Sequence, residues 1–400
     1  MLRFSPALTG SLSRRLRDHM SNIVSSARIH SPHSNTTSFI TTDLERSIMD
    51  QLEVLPSVSR LSDHVVRVLG QNPGKFTLQG TNTYLIGKQN PYILIDTAEG
   101  RDEYISVLDS ALRETAKPSN PNEPDVSDII ISHWHPDHVG GLPSVLSLLR
   151  RLWDERNPSL PFKPPRLHKL PQNSDEPVIA FGATNTLPSI ISSLPANAFT
   201  PSPSGNPLHD LHDFQTFAAS GLRVLHTPGH TSDSICLHVP QDRALYTADT
   251  VLGQGTAVFE DLSAYLKSLN RMLNFSEGEG YTSLYPGHGP VIPKGKEMIS
   301  GYIQHRLERE AQILKVLNSP PPRNGDSDDA PPRWTTWTIV TTMYAAYPES
   351  LWLPAAHSVD LHLKKLQEDK VVRRVSGELQ HTSWEVIDIL SSSPVDRKSN

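Results

Sequence analysis

The sequence predicts an α+β fold, a layered body of sheet and helix followed by a small helix–helix–hairpin domain. Three observations carry this. Between residues 62 and 100, short β-rich runs alternate with Gly/Asn turns, as in a meander. Further on, apolar strand-like runs alternate with stretches whose apolar residues recur at helical spacing. Near residue 320 a Pro- and Asp-rich stretch breaks this pattern, and helical spacing resumes beyond it.

The 400 residues suffice for one large core and a small extra domain. Hydrophobic residues make up only 36% and prolines number 34, so much of the chain is loop or tail. A net charge of −6 excludes a global field that would draw the protein onto nucleic acid. No run approaches the ~18 apolar residues of a membrane span. The single Cys236 excludes an internal disulfide and fits a reducing compartment. It sits in the strand-like Ile235-Cys236-Leu237 and reads as a packed thiol, not a nucleophile.

Residues 1–45 read as a disordered or targeting segment. The first 40 residues hold Arg3, Arg14, Arg15, Arg17 and Arg28, many Ser and one acid, Asp18, which is the composition of a mitochondrial transit peptide. A disordered extension of a cytoplasmic protein fits equally, so the expected location is cytoplasmic or mitochondrial. The main domain spans 46–318. Its first strands are Val65–Leu69, Thr83–Ile86 and Tyr92–Ile95, followed by the apolar run Ile129–Ile131. A helix runs from Leu142 to Trp153, with Pro143 in its first turn. Residues 154–177, rich in Pro and polar residues, read as an inserted loop near the site. Asp261 to Asn274 places Leu262, Tyr265, Leu266, Leu269 and Met272 on one helical face, and Lys296 to Leu317 is a longer amphipathic helix. Residues 319–333 form a Pro/Asp-rich linker with almost no apolar surface to bury. In the last domain, 334–400, the stripe Trp352, Ala355, Val359, Leu363 and Leu366 marks a helix, and Val371–Val375 a strand. Its seven Lys/Arg against eight Asp/Glu are not the charge of a nucleic-acid reader and suit packing or a substrate lid.

The chemistry is concentrated in Ser132-His133-Trp134-His135-Pro136-Asp137-His138-Val139-Gly140-Gly141. Three His and one Asp fall within six positions directly after a buried strand. Imidazole and carboxylate suit a borderline ion such as zinc. Three further segments each end a strand with a candidate ligand. They are Val224–Thr231 with His230, Ala244–Asp249 with Asp249, and Leu284–Gly289 with His288. A lone His after Pro-Gly is usually a turn residue, and a lone strand-end Asp is usually a helix cap. Four strand ends that each deliver a ligand are a coherent site, because ligands collect where the strands of such sheets end. His226 and His238 lie inside strand-like runs and read as packed or supporting groups. His209 and His212 sit in a polar stretch and read as solvated.

The pattern H-x-H-x-D-H, then Gly-His-Thr, a strand-end Asp and Pro-Gly-His-Gly resembles the metallo-β-lactamase superfamily over roughly residues 60 to 315. Asp96, closing Tyr92-Ile93-Leu94-Ile95-Asp96, matches its first motif, a buried Asp that supports the site without binding metal. The stretches Asn72–Tyr84 and Gly253–Leu262 resemble one branch, which holds β-lactamase-like mitochondrial endoribonucleases and fungal lactamase-like thioesterases that release polyketides from acyl carrier protein. The C-terminal pattern is similar to that branch's winged-helix-like tail.

The resemblance implies an αββα sandwich with a small C-terminal winged-helix-like domain. It implies two Zn2+, with His133, His135 and His230 on one and Asp137, His138 and His288 on the other. Asp249 would bridge them, and Asp137 would also act as general acid/base. A hydroxide shared by the two ions would be the nucleophile. Fold and metal leave the substrate open. One expectation is a thioesterase acting on acyl carrier protein or another acyl thioester. A second is an endoribonuclease on single-stranded RNA, and a third is a non-enzymatic binding scaffold. The acidic charge and the lack of a basic, aromatic-interleaved stretch favour the thioester. The transit-like N-terminus pulls toward the mitochondrial ribonucleases. An intact ligand set argues against the scaffold.

Overall fold

A computed structural model describes residues 52–116, 118–172, 184–322 and 332–387, and the side chains of 276–279 are not described. Residues 1–45 therefore lie outside the described residues, as do 323–331 of the expected linker.

Among the described residues the first sheet has seven strands in sequential order. β1 (Val58–Arg60), β2 (Val65–Leu69), β3 (Asn82–Ile86) and β4 (Tyr92–Ile95) form an antiparallel meander. β5 (Val126–Ile131), β6 (Arg166–Lys169) and β7 (Leu208–Asp210) continue it in parallel with β4. A second sheet contains β8 (Arg223–His226), β9 (Ile235–Val239), β10 (Ala244–Ala248) and β11 (Ser283–Pro286).

The apolar run in β5 is continuous because both faces are covered. Ile129 and Ile131 join a core with Leu108, Leu112, Leu146 and Leu149, from the helices α1 (Asp102–Ser110, continued as a π-turn to Thr115) and α3 (Leu142–Arg156). Ile130 points the other way, into a core shared with Val224, Leu237 and Tyr246 of the second sheet. The outer face of that sheet meets α5 (Leu262–Glu279), where Phe275 packs 5.1 Å from the ring of His238. These are the four layers of the expected αββα sandwich. Two shorter helices also lie in this body, α2 (Pro136–Val139) and α4 (Leu187–Ser193).

Two sequence expectations need correction. Residues 154–177 are not one inserted loop. α3 runs on to Arg156, and β6 is an inner strand hydrogen-bonded to both β5 and β7. Its Arg-Leu-His-Lys sequence hides the strand signal. Exposed Arg166 and buried His168 each lie 2.7 Å from the buried carboxylate of Asp128, and buried Lys169 lies 2.6 Å from Asp233. His209 is not solvated. It belongs to β7, is half-buried, bonds Thr200 O at 3.0 Å and lies 5.1 Å from the ring of His168. His212 is exposed, as expected. α4 carries too short an apolar pattern to be read in advance.

The chain divides into two compact units between Tyr302 and Ile303, inside α6 (Gly295–Leu317). The C-terminal unit therefore uses the end of that helix as well as the last domain. Ile313 and Leu317 pack in one core with Trp334, Val340, Val359 and Trp384. This unit holds α7 (Thr336–Met343), α8 (Trp352–Glu368) and the hairpin of β13 (Val372–Ser376) and β14 (Ser383–Val386), with the two-residue β12 (Trp334–Thr335) beside it. Helix, helix and hairpin is the winged-helix arrangement expected. No described helix is long and apolar enough to cross a membrane.

Candidate metal centre

Eight His and Asp side chains, seven candidate ligands and the supporting Asp96, meet where strands of the two sheets end. β4 ends at Asp96, β5 leads into His133 and His135, and α2 carries Asp137 and His138. β8, β10 and β11 lead to His230, Asp249 and His288. Close backbone approach fixes two of the turns. A Cβ at Gly141 would lie 1.9 Å from Thr97 O, so only glycine lets the His loop settle on the end of β4. A Cβ at Gly287 would lie 2.4 Å from Asp249 Oδ1, so the glycine before His288 makes room for that carboxylate.

The side chains form two groups. His133, His135, His230 and Asp249 offer ligand atoms all within 4.8 Å of one another, and so do Asp137, His138 and His288. In the first group His133 Nε2 is 3.0 Å from His135 Nδ1, and His230 Nε2 is 3.2 and 3.0 Å from these two atoms. In the second, Asp137 Oδ2 lies 3.2 Å from His288 Nε2 and 3.4 Å from His138 Nε2. Asp249 spans both groups. Its carboxylate is 3.8 Å from His230 Nε2, 3.3 Å from His138 Nε2 and 3.1 Å from His288 Nε2.

Surrounding groups hold the rings in place. Asp96 is fully buried, with φ +59°. It accepts from Ser132 N, Ser132 Oγ and His138 Nδ1, each at 2.7 Å, and from the Tyr246 hydroxyl. The proton on His138 Nδ1 aims its Nε2 into the site, which is how a supporting carboxylate fixes a ligand's tautomer. His230 Nδ1 donates to Val258 O at 2.9 Å, so its Nε2 also faces inward.

Burial and neighbouring charge split the histidines. Burial holds His133 and His230 below the ordinary imidazole value and pushes His135 down to about 3. These three rings are neutral, the form that binds metal. For His138 and His288 burial also opposes charge, but the carboxylates outweigh it. Asp137, Asp249 and Asp96 hold His138 well above its usual value, and Asp249 and Asp137 raise His288 to about 9. Burial would raise Asp137 and Asp249, yet the His138 and His288 rings hold both well below the usual carboxylate range.

These features fit a divalent cation. Three neutral imidazole nitrogens converge at close to 3 Å with no excess of protons to join them. Buried His138 Nε2 and Asp249 Oδ1 face each other without a well-formed hydrogen bond. Protons on two histidines supply the positive charge that balances two carboxylates, and one divalent ion in that group supplies the same charge.

The decoy histidines stay outside both groups. His226 Nε2 bonds Ser232 O at 2.9 Å, and His238 is buried in strand β9. Cys236 is fully buried, and burial pushes its thiol up to about 12, so it is a packed side chain and no nucleophile. Sequence reasoning missed Thr81, Asn72 and Tyr246. The Thr81 hydroxyl donates to Asp137 Oδ2 at 3.1 Å, and Asn72 braces Thr81 through two bonds of 3.1 and 2.9 Å. Hydroxyl groups 56 and 150 residues from their carboxylate partners leave no spacing signal, although Asn72 and Thr81 lie in the stretch that carries the branch resemblance.

Residues 76–288 match the profile of the Metallo-beta-lactamase superfamily, and residues 335–384 that of the Beta-lactamase associated winged helix domain. A Caenorhabditis elegans protein named Beta-lactamase-like protein 2 homolog is 36% identical over 81% of this chain and 91% of its own length. The Atrochrysone carboxyl ACP thioesterase nsrC of Aspergillus novofumigatus is 32% identical over 80% of this chain and 84% of its own. The crystal structure of a beta-lactamase domain protein from Burkholderia ambifaria superposes with a TM-score of 0.57 at 17% identity, covering 85% of this chain and 99% of the other, and shows the shared fold alone.

Proposed function

Because this chain belongs to the metallo-beta-lactamase superfamily, we propose that it is a zinc-dependent hydrolase of acyl thioesters, releasing an acyl or polyketide chain from acyl carrier protein. The observation that carries the substrate is the relative named as an ACP thioesterase, which aligns over 80% of the chain. The observation that carries the metal is the pair of His/Asp groups joined by Asp249.

In this reading His133, His135 and His230 would hold one zinc ion, Asp137, His138 and His288 would hold the other, and Asp249 lies within reach of both groups. Zinc supplies Lewis acidity and lowers the pKa of water toward neutrality. The chain's own residues do the rest. Asp137, ionised and held by Thr81, takes a proton from the attacking water and returns it to the departing thiolate. Asp96 and Val258 O keep the imidazoles aimed while charge builds up on the substrate oxygen. A thiolate leaves readily, so little acid assistance is needed beyond that one carboxylate.

A second reading is cleavage of single-stranded RNA. It draws support from the stretches Asn72–Tyr84 and Gly253–Leu262, which resemble a branch that also holds β-lactamase-like mitochondrial endoribonucleases. The branch resemblance in the sequence joins both activities. One panel separates the two: zinc-loaded full-length protein against acyl-carrier-protein thioesters and against single-stranded RNA, each with and without chelator. Chelator-sensitive release of free acid, with RNA intact, supports the thioesterase. Chelator-sensitive RNA cleavage with thioesters untouched replaces it.

A further inference from the structure

The parallel strands β4 to β7 end on one side of their sheet. β4 ends at Asp96 and β5 at the His133 loop, both already part of the metal centre. The other two ends have no role there, yet a cavity of about 550 Å³ opens at them. Leu170, Leu187, Pro188, Ile191 and Leu208 supply much of its lining. This volume is within the range of about 300–1,000 Å³ that small-molecule sites occupy.

Three charged residues also line the cavity, Lys169, Asp210 and Asp233. Lys169 and Asp233 are buried, and Lys169 Nζ lies 2.6 Å from Asp233 Oδ2, whereas Asp210 is exposed. The pair is neutral as a unit, so the cavity offers no free cation to a phosphate. The leftover charge is the Asp210 carboxylate, which repels an anion that would also lose its water against the leucine and proline side chains. An uncharged apolar chain loses nothing and gains burial.

The cavity adjoins the metal centre along the chain. Lys169 pairs in register with Ile131, two residues before His133. Asp233 accepts from the Thr231 hydroxyl at 2.7 Å, and Thr231 follows His230. Two cavity-lining residues are thus tied to the segments that carry two of the clustered histidines.

We propose that this cavity is the acyl-chain site, taking an uncharged aliphatic or aromatic chain while the thioester carbonyl lies at the metal centre. The proposal rests on the thioester reading above and adds where the chain goes and what its chemistry must be.

The test uses full-length zinc-loaded protein, acetyl and decanoyl N-acetylcysteamine thioesters, and a decanoyl analogue with methylene in place of sulfur. Ile191→Trp and Leu208→Trp fill the cavity from two elements, and Ile191→Ala enlarges it. Both positions are half-buried and lie outside the metal groups. Each Trp variant should raise the KM for the decanoyl substrate about tenfold or more, the loss expected when a chain's burial is blocked. Calorimetric binding of the analogue should weaken by the same factor, while acetyl turnover is unchanged. Ile191→Ala should shift preference toward longer chains and keeps the test alive if a Trp variant misfolds. Unchanged decanoyl KM and analogue binding in all three variants would overturn the site and leave the reaction standing. Trp-sensitive binding of the analogue by a protein that hydrolyses no thioester would do the reverse.

Discussion

The hydroxyl of Thr81 donates to Asp137 Oδ2 at 3.1 Å while accepting from Asn72 Nδ2 at the same distance. Thr81 is fully buried and Asn72 nearly so, which makes the chain Asn72–Thr81–Asp137 a rigid brace and not a surface contact. The same Asp137 oxygen lies 3.2 Å from His288 Nε2. Thr81 therefore fixes how the carboxylate faces the second His/Asp group.

Thr81→Val keeps the shape of the side chain and removes the donor. Loss of such a supporting bond typically costs about 10–100-fold in metal affinity or activity. The expected outcome is a fall in kcat and in occupancy of the second metal, with the thermal midpoint of the metal-free protein little changed. Thr81→Ser should restore most of both. Equal behaviour of the Val and Ser variants would mean that the hydroxyl does nothing beyond filling space.

Elemental analysis of purified, metal-replete protein should give about two zinc ions per chain, since two separate groups of His and Asp are present. His230→Ala should remove one of them. His226→Ala should keep both, because the His226 ring is engaged with Ser232 O at 2.9 Å and lies outside both groups. A His226→Ala protein as poor in zinc as His230→Ala would reverse the choice between the two residues, and a wild-type stoichiometry near zero would sink the site.

Residues 1–45 should be dispensable for turnover. They lack the apolar periodicity needed to bury a core, and their Arg- and Ser-rich composition suits a targeting segment. Deleting them should leave kcat/KM unchanged in the purified protein. A fluorescent fusion of the segment tests targeting separately. Mitochondrial signal favours a transit peptide, and a diffuse cytosolic signal removes that reading.

The parts of this molecule that were legible in the sequence are those with a periodic or spaced signature. The run Ile129-Ile130-Ile131 announced a strand covered on both faces, and the His and Asp residues after strand ends announced a cluster. β6 was hidden because its buried His168 and Lys169 find the carboxylates of Asp128 and Asp233 inside the fold, so a largely buried strand reads as polar. Thr81 was hidden because its partner lies 56 residues away and a hydroxyl is not a metal-type ligand. The division inside α6 was hidden for a related reason. Nothing local to Ile313 and Leu317 reveals that they pack with Trp334 and Val359. Tertiary pairing decides each of these cases, and one-dimensional spacing does not record it.

The pH dependence of the metal-free protein tests the charge balance of the second group. His288 is raised from 6.5 to about 9 because Asp249 and Asp137 outweigh the burial that opposes its charge. A base whose folded-state pKa is raised stabilises the fold fully below its unfolded value of 6.5. That stabilisation is lost as the pH climbs through about 9. A shift of this size corresponds to about 3 kcal/mol, and His138, which shares the same carboxylates, moves in the same direction without adding independently. His135, pushed down to about 3, adds its effect below 6.5 and leaves the higher window untouched. The urea midpoint of chelated protein should therefore fall between pH 6.5 and 9. A flat or rising midpoint would show that His138 and His288 are neutral in the folded chain. Zinc must displace these same protons, so its affinity for the second group should strengthen over the very window in which the metal-free fold weakens.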